Sequence, residues 1–171
     1  MNIREERPED RLGIIELNIA AFDSTDEANL VEQLREDGAI ISSMVADEYG
    51  EIIGHILFSG LKVTSNDGKT EISAAALAPL CVAPTHQKLG IGSELIRQGI
   101  EKCEENGIEA IVVLGQERFY AQFGFSVEKA ENIKSAFSGP FFMVLDLKKG
   151  IFDEFQGSAI YPDAFDSLES K

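Results

Sequence analysis

The densest concentration of usable chemistry is the segment His86-Gln87-Lys88-Leu89-Gly90-Ile91-Gly92-Ser93, which follows an apolar run over 72–82. A strand that turns at once into a helix presents the helix's first N–H groups without internal partners, at the positive end of its dipole. Gly90 and Gly92 carry no Cβ, so phosphate oxygens can come close to that backbone, and His86 and Lys88 supply the only positive charge nearby. Taken alone, Gly-x-Gly is also compatible with simple packing. Two better-known phosphate motifs are excluded. No Gly-Lys-Ser/Thr closes the loop, as a nucleotide P-loop requires, and Leu95 stands where a dinucleotide fingerprint would place a third glycine or alanine.

Three further residues have reactive side chains, each with a plainer explanation. Glu27 is a carboxylate, but Ser24-Thr25-Asp26-Glu27 has the S-x-x-E form of a capping box, which accounts for it equally well. His55 would titrate near neutrality if exposed, although a histidine within a strand is more often a satisfied structural residue. Cys81 has no base beside it in sequence and reads as a small core thiol rather than an acyl carrier. With Cys103 it makes a pair of cysteines that offers neither a disulfide framework nor a metal-ligand spacing, so no metal is expected.

The elements that must position these residues follow from periodicity and turn residues. A short strand over 3–6 precedes a helix opened by Arg7-Pro8-Glu9-Asp10, on which Leu12, Ile15, Ile19 and Phe22 form a buried stripe. A second helix follows with Leu30, Val31 and Leu34 inside. Strands are expected over 39–46 and 51–59 around a hairpin turn at Asp47-Glu48-Tyr49-Gly50, and again over 72–82 after the turn Asn66-Asp67-Gly68. Pro79 cannot donate a ladder hydrogen bond and marks a bulge or an interruption in that last strand. A helix over 90–105 buries Ile91, Leu95, Ile96, Ile100 and Cys103 and ends at Asn106-Gly107. A continuous apolar strand over 108–114, a short helix over 118–123 stopped by Gly124, and a strand over 141–147 complete the order β-α-α-β-β-β-α-β-α-β. The fold class is therefore α/β (α+β), a mixed sheet with helices packed on it.

Composition bounds the function. The chain has 171 residues, enough for one domain with a real core, and 44% hydrophobic against 26% charged residues is ordinary for a soluble protein. Thirty acidic and fifteen basic side chains give a net charge of −15. That argues against a nucleic-acid partner, and it serves solubility more than it selects a cationic substrate. The longest apolar run, 74–83, is ten residues with Pro79 inside, too short for a membrane span. The N-terminus is charged and lacks the apolar stretch of a signal peptide, so a cytoplasmic location is expected.

Gln87-Lys88-Leu89-Gly90-Ile91-Gly92 resembles the Gln/Arg-x-x-Gly-x-Gly/Ala signature of the GNAT superfamily of N-acetyltransferases. Val82-x-Pro84 before it and Leu95 after it agree. A second match, Phe119-Tyr120-Ala121-Gln122-Phe123-Gly124-Phe125, resembles the family's Tyr-x-x-x-Gly-Phe segment, and the element order is the family's. The resemblance covers about residues 2–147. The Phe-Gly-Phe ending and the Leu114-Gly115 strand end look like a bacterial single-domain branch. It implies a central sheet of about six to seven strands, splayed in the middle and flanked by about four helices. It implies acetyl-CoA as co-substrate, transferred to a primary amine by direct attack in a ternary complex, with a non-catalytic acyl-CoA-binding module as the alternative. By resemblance the pantetheine arm lies against Leu80, Cys81 and Val82, and the pyrophosphate on Gln87, Lys88, Leu89, Gly90, Ile91, Gly92 and Ser93. Tyr120 is the candidate general acid, since a tyrosine hydroxyl is protonated at neutral pH. The strand over 72–82 holds no carboxylate for a general base, and Glu27 lies near the region that lines acceptor sites in this family. Where many members carry an asparagine on the coenzyme arm, this chain has Gly115-Gln116. Residues 1–147 are expected to form the acetyltransferase domain. Residues 148–171, with Phe152, Phe155, Tyr161 and Phe165, are expected to dock on the same domain or on a partner subunit, which leaves a homodimer open.

Overall fold

The computed structural model describes residues 1–169; Ser170 and Lys171, the end of the expected C-terminal extension, lie outside the described residues. Eight strands make one mixed sheet: β1 (Asn2–Glu5), β2 (Ile40–Glu48), β3 (Glu51–Ser65), β4 (Glu71–Val82), β5 (Ala110–Leu114), β6 (Ile133–Lys134), β7 (Phe142–Asp146) and β8 (Gly157–Ile160). The spatial order is β1-β2-β3-β4-β5-β7, with β5 parallel to β4 and the other neighbours in this row antiparallel. β2 and β3 are joined as expected at Tyr49-Gly50, both left-handed at φ 53 and 89, the combination a tight hairpin turn requires.

Helices cover both faces. α1 (Arg11–Phe22) and α2 (Asp26–Glu36) lie on one, and α3 (Ile91–Glu105) on the other; α4 (Glu117–Tyr120), α5 (Val127–Ala130) and α6 (Asp166–Glu169) are single turns. Leu30, Val31 and Leu34 of α2 pack with Val45, Leu57, Phe142 and Phe155, whereas Leu95, Ile96 and Cys103 of α3 pack with Phe58, Ile111 and Phe125. Each fully buried side chain of this kind contributes roughly 1.5–3 kcal/mol, so the two faces dominate the fold's stability. Among the described residues no helix is long and apolar enough to cross a membrane.

The central strands splay. β4 and β5 pair only from Ala74↔Ala110 to Leu77↔Val113. Beyond that point β4 keeps its pairing with β3 through Ile56↔Leu80, His55↔Cys81 and Gly54↔Val82, and the register shifts between Ile56 and Phe58. The cis Ala78–Pro79 peptide lies in this shift. Past Leu77, β4 therefore offers one edge that no strand occupies among the described residues.

Three local expectations are corrected. The face of α1 that packs is Ile14, Leu17 and Asn18, while Leu12 is 65% exposed and Phe22 38%. Asn18 donates to Ile14 O at 2.9 Å and to His55 Nδ1 at 3.3 Å, so a polar side chain is carried into the interior and the helix presents a different stripe. The capping box at Ser24 does not form: the Ser24 hydroxyl accepts from the Asp26 N–H at 3.2 Å, and α2 begins with no side-chain cap. β3 continues six residues past the expected end at Ser59, running through Gly60 to Ser65. That extension pairs with β8, as Lys62↔Ile160 to Ser65↔Gly157, and Phe155, Ala159 and Phe165 join the core under α2.

Candidate active site

Where β4 ends, α3 begins and α1 finishes, a cavity of about 410 Å³ opens. β4 lends it Leu80, Cys81 and Val82; the connecting loop lends His86, Gln87 and Lys88; and α3 with its N-cap lends Gly90, Ile91, Gly92 and Ser93. Leu89 alone of that segment does not line it, and its side chain is 70% exposed.

Backbone geometry builds this wall. Lys88 at φ 66 and Gly90 at φ 86 are both left-handed, and they swing the chain so that α3 starts beside the end of β4. Gln87 Nε2 donates to Val82 O at 3.2 Å and ties the loop to the strand it leaves. His86 spends its ring on the Thr85 hydroxyl at 2.9 Å and the Glu48 carboxylate at 2.8 Å, whereas Lys88 forms no ion pair among the described residues. Gly90 is required by its φ. Gly92 is not, since a Cβ there would meet only Val82 Cγ2 at an ordinary 3.8 Å. Neither backbone nor packing demands a glycine at 92, so the room it leaves belongs to the cavity.

Tyr120, the candidate acid, is not among the residues that line the cavity. Its neighbour Phe119 lines the cavity, and Phe119, Tyr120, Phe123 and Phe125 form edge-to-face contacts with centroids 5.0 to 5.6 Å apart. The Tyr120 ring lies on Gly115, where a Cβ would come within 2.4 Å of it. The ring therefore leaves no room for a side chain at the residue that follows β5. Burial pushes the Tyr120 hydroxyl up to about 12, so it holds its proton at neutral pH.

The remaining reactive groups divide clearly. Burial, with a smaller push from the Glu27 charge, raises the Cys81 thiol to about 12, which leaves no thiolate for covalent catalysis. His55 is fully buried between Ser43 Oγ at 2.9 Å and Asn18, and burial lowers it to about 4; it is a neutral structural group. Glu27, freed from capping, has its Oε2 shielded from solvent without a hydrogen-bond partner among the described residues. Ala21 and Phe22 line the cavity without a site role in the sequence reading, and so does Phe119, which opens the second motif match but is not among the expected site residues. Phe22 is an aromatic at a helix end just before Asp23-Ser24, and its spacing from Ile19 assigns it equally to the core stripe of α1.

Comparison with known proteins returns one family. A model of the Acetyltransferase (GNAT) family matches residues 6–125. The N-acetyltransferase YhbS of Escherichia coli strain K12 is 34% identical over 140 residues, 81% of each chain. The crystal structure of E. coli YhbS in complex with CoA superposes with a TM-score of 0.86 at 30% identity, over 96% of this chain and 91% of that one. A GNAT family acetyltransferase from Brucella melitensis, solved with acetyl-CoA, gives 0.78 at 32% identity, over 96% and 97%.

Proposed function

The chain belongs to the Acetyltransferase (GNAT) family, and on that premise we propose that it moves the acetyl group of acetyl-CoA to a primary amine by direct attack within a ternary complex. The observation that carries the proposal is the continuity of two features. The edge of β4 left free past Leu77 carries Leu80, Cys81 and Val82 into the cavity, where Gly92 leaves spare room and the first turn of α3 lines the wall. A pantetheine arm carries amides spaced like a peptide's, so it can pair with Leu80–Val82 as an added strand would. The pyrophosphate then meets the N–H groups of Ile91, Gly92 and Ser93 and the ammonium of Lys88, which has no ion pair among the described residues. A β4 backbone N–H near Leu80 would face the thioester carbonyl and stabilise the oxyanion that forms on attack.

Collapse of the tetrahedral intermediate breaks the C–S bond, and the departing thiolate takes a proton from Tyr120. The hydroxyl is protonated at neutral pH but a weak acid, so its transfer to the thiolate is driven by the proton that the new amide nitrogen must shed, which neutralises the phenolate. The protonated Cys81 thiol supports a single displacement over an acyl-enzyme. The test is release of free thiol from acetyl-CoA with a panel of primary amines, alongside Tyr120→Phe. The variant is expected to lose about 100-fold in kcat while acetyl-CoA still protects it from thermal unfolding. Full turnover in Tyr120→Phe at every pH would remove the acid role. Protection by ATP or NAD with none from CoA would sink the reading as a whole.

A further inference from the structure

A second chamber, of about 440 Å³, lies on the same strand as the acetyl-CoA cavity. Leu77 and Ala78 of β4 line it, and once past Pro79 the next three residues, Leu80 to Val82, line the cavity. The two spaces therefore share β4 as a wall. The chamber sits where β4 and β5 part: their last pair is Leu77↔Val113, and Leu114, the next residue of β5, lines the chamber half exposed. The rest of the lining comes from segments after β5. Tyr161 packs edge-on against Phe137 and Phe165, and Leu168 of α6 adds to the same wall. Among the described residues the lining side chains are apolar except for the Tyr161 hydroxyl. An ammonium enclosed there would lose its hydration with no carboxylate to replace it, whereas an alkyl chain gains with every methylene it buries. The chamber suits hydrocarbon rather than the charged end of an acceptor.

We propose that the chamber receives the acyl chain of the donor, so that the protein transfers acyl groups several methylenes longer than acetyl. The inference rests on the acyl-transfer reading above, and the direction of the coenzyme carries it. With the pyrophosphate at the start of α3 and the pantetheine along Val82 to Leu80, the thioester carbonyl lies beside Leu80. Whatever hangs from that carbonyl continues towards Ala78, two residues or roughly 7 Å further along the strand. An acetyl group ends short of the chamber, while a butyryl or hexanoyl group enters it past the small side chain of Ala78. The bonds exchanged do not depend on chain length. The amine nitrogen bonds to the carbonyl carbon, the C–S bond breaks, and the proton that the nitrogen sheds balances the one that the thiol gains.

The test measures thiol release from acetyl-, butyryl-, hexanoyl- and octanoyl-CoA, with one amine that the native protein turns over, for the native protein, Ala78→Leu and Leu168→Ala. Native kcat/KM is expected to rise about tenfold or more from acetyl- to hexanoyl-CoA, since each methylene buried favours binding about fourfold. Ala78→Leu fills the entrance, so its ratio of hexanoyl to acetyl turnover falls about tenfold, while CoA still protects it from thermal unfolding. Leu168→Ala, on α6 and away from β4, enlarges the chamber and moves the preference towards octanoyl-CoA. A native preference for acetyl-CoA overturns the proposal, and so does an unaltered chain-length profile in either folded variant. A loss in Ala78→Leu that is equal for every donor overturns it too, because the chamber then serves the acceptor or packing alone. If CoA protects the native protein but no acyl-CoA releases thiol with any amine, the transfer reading itself fails and takes this proposal with it. Acetyl transfer with the longer donors rejected leaves that reading standing and removes the acyl chamber alone.

Discussion

His55 shows how a single buried side chain ties this fold to pH. Its ring is fully enclosed, and burial outweighs the opposing effect of Glu6, with Arg35 adding to the lowering, so the folded protein holds it neutral down to about pH 4. In the unfolded chain a histidine takes its proton near pH 6.5. Between those values the unfolded state binds a proton that the folded state refuses, so stability falls as pH drops through that window; fully expressed, the effect is about 3 kcal/mol. Asp10, Asp47 and Asp146, held below the usual carboxylate range chiefly by Arg4, the Gly50 N–H and Lys129, add losses at lower pH. His55→Gln is therefore expected to be less stable than the native protein at pH 7.5 yet to lose less on acidification to pH 4.5, in urea titrations at both values. Parallel losses would show that the ring does not carry the pH dependence.

At the scale of elements, the strand–loop–helix from β4 into α3 is where coenzyme binding and helix stability pull against each other. Gly92 occupies the first turn of α3, and a methyl group at that position would meet nothing closer than Val82 Cγ2. Gly92→Ala is therefore expected to raise the unfolding temperature of the free protein, by up to about 1 kcal/mol of stability. The same methyl narrows the cavity, and affinity for acetyl-CoA should fall about tenfold, or roughly 1.4 kcal/mol. Thermal unfolding with and without acetyl-CoA reads both numbers, and unchanged protection would mean that position 92 does not face the coenzyme. This element was also the most legible part of the sequence, because a Gly-x-Gly at a strand–helix junction and a 3.6-residue stripe are both local signals. What stayed hidden was set by tertiary contacts. Asn18 is polar, so no periodicity argument would put it inward, yet its bond to His55 turns the whole of α1. β8 is four residues long and has meaning only because β3 runs past Gly60 to meet it. The spacing of Glu27 from Ser24 points to capping, and only the structure shows that this cap is not made. Phe22 reads as a core aromatic from its spacing, and only the cavity distinguishes it.

For the molecule as a whole, the segment after β7 completes the structure rather than decorating it. Phe155, Ala159 and Phe165 belong to the core under α2, and Tyr161 stacks edge-on between Phe137 at 4.8 Å and Phe165 at 5.0 Å. Losing one such phenylalanine typically costs about 3–5 kcal/mol, against a total of about 5–15 for a domain of this kind. A chain ending at Leu147 is therefore expected to unfold at a much lower temperature than the full chain, or to collect in inclusion bodies, as circular dichroism and solubility would show; a fully native melting curve would contradict it. The pairing of Lys62–Ser65 with Gly157–Ile160 has a consequence for synthesis. The ribosome makes β3 long before it makes β8, and at about 5–20 residues per second the wait is on the order of ten seconds. Through that interval the outer edge of β3 is open to any passing strand, with the charge of Lys62 as its guard. Two nascent chains on neighbouring ribosomes could each donate a β8 to the other, so the rate of translation through residues 66–157 becomes a determinant of whether this protein emerges as itself or as an exchanged pair.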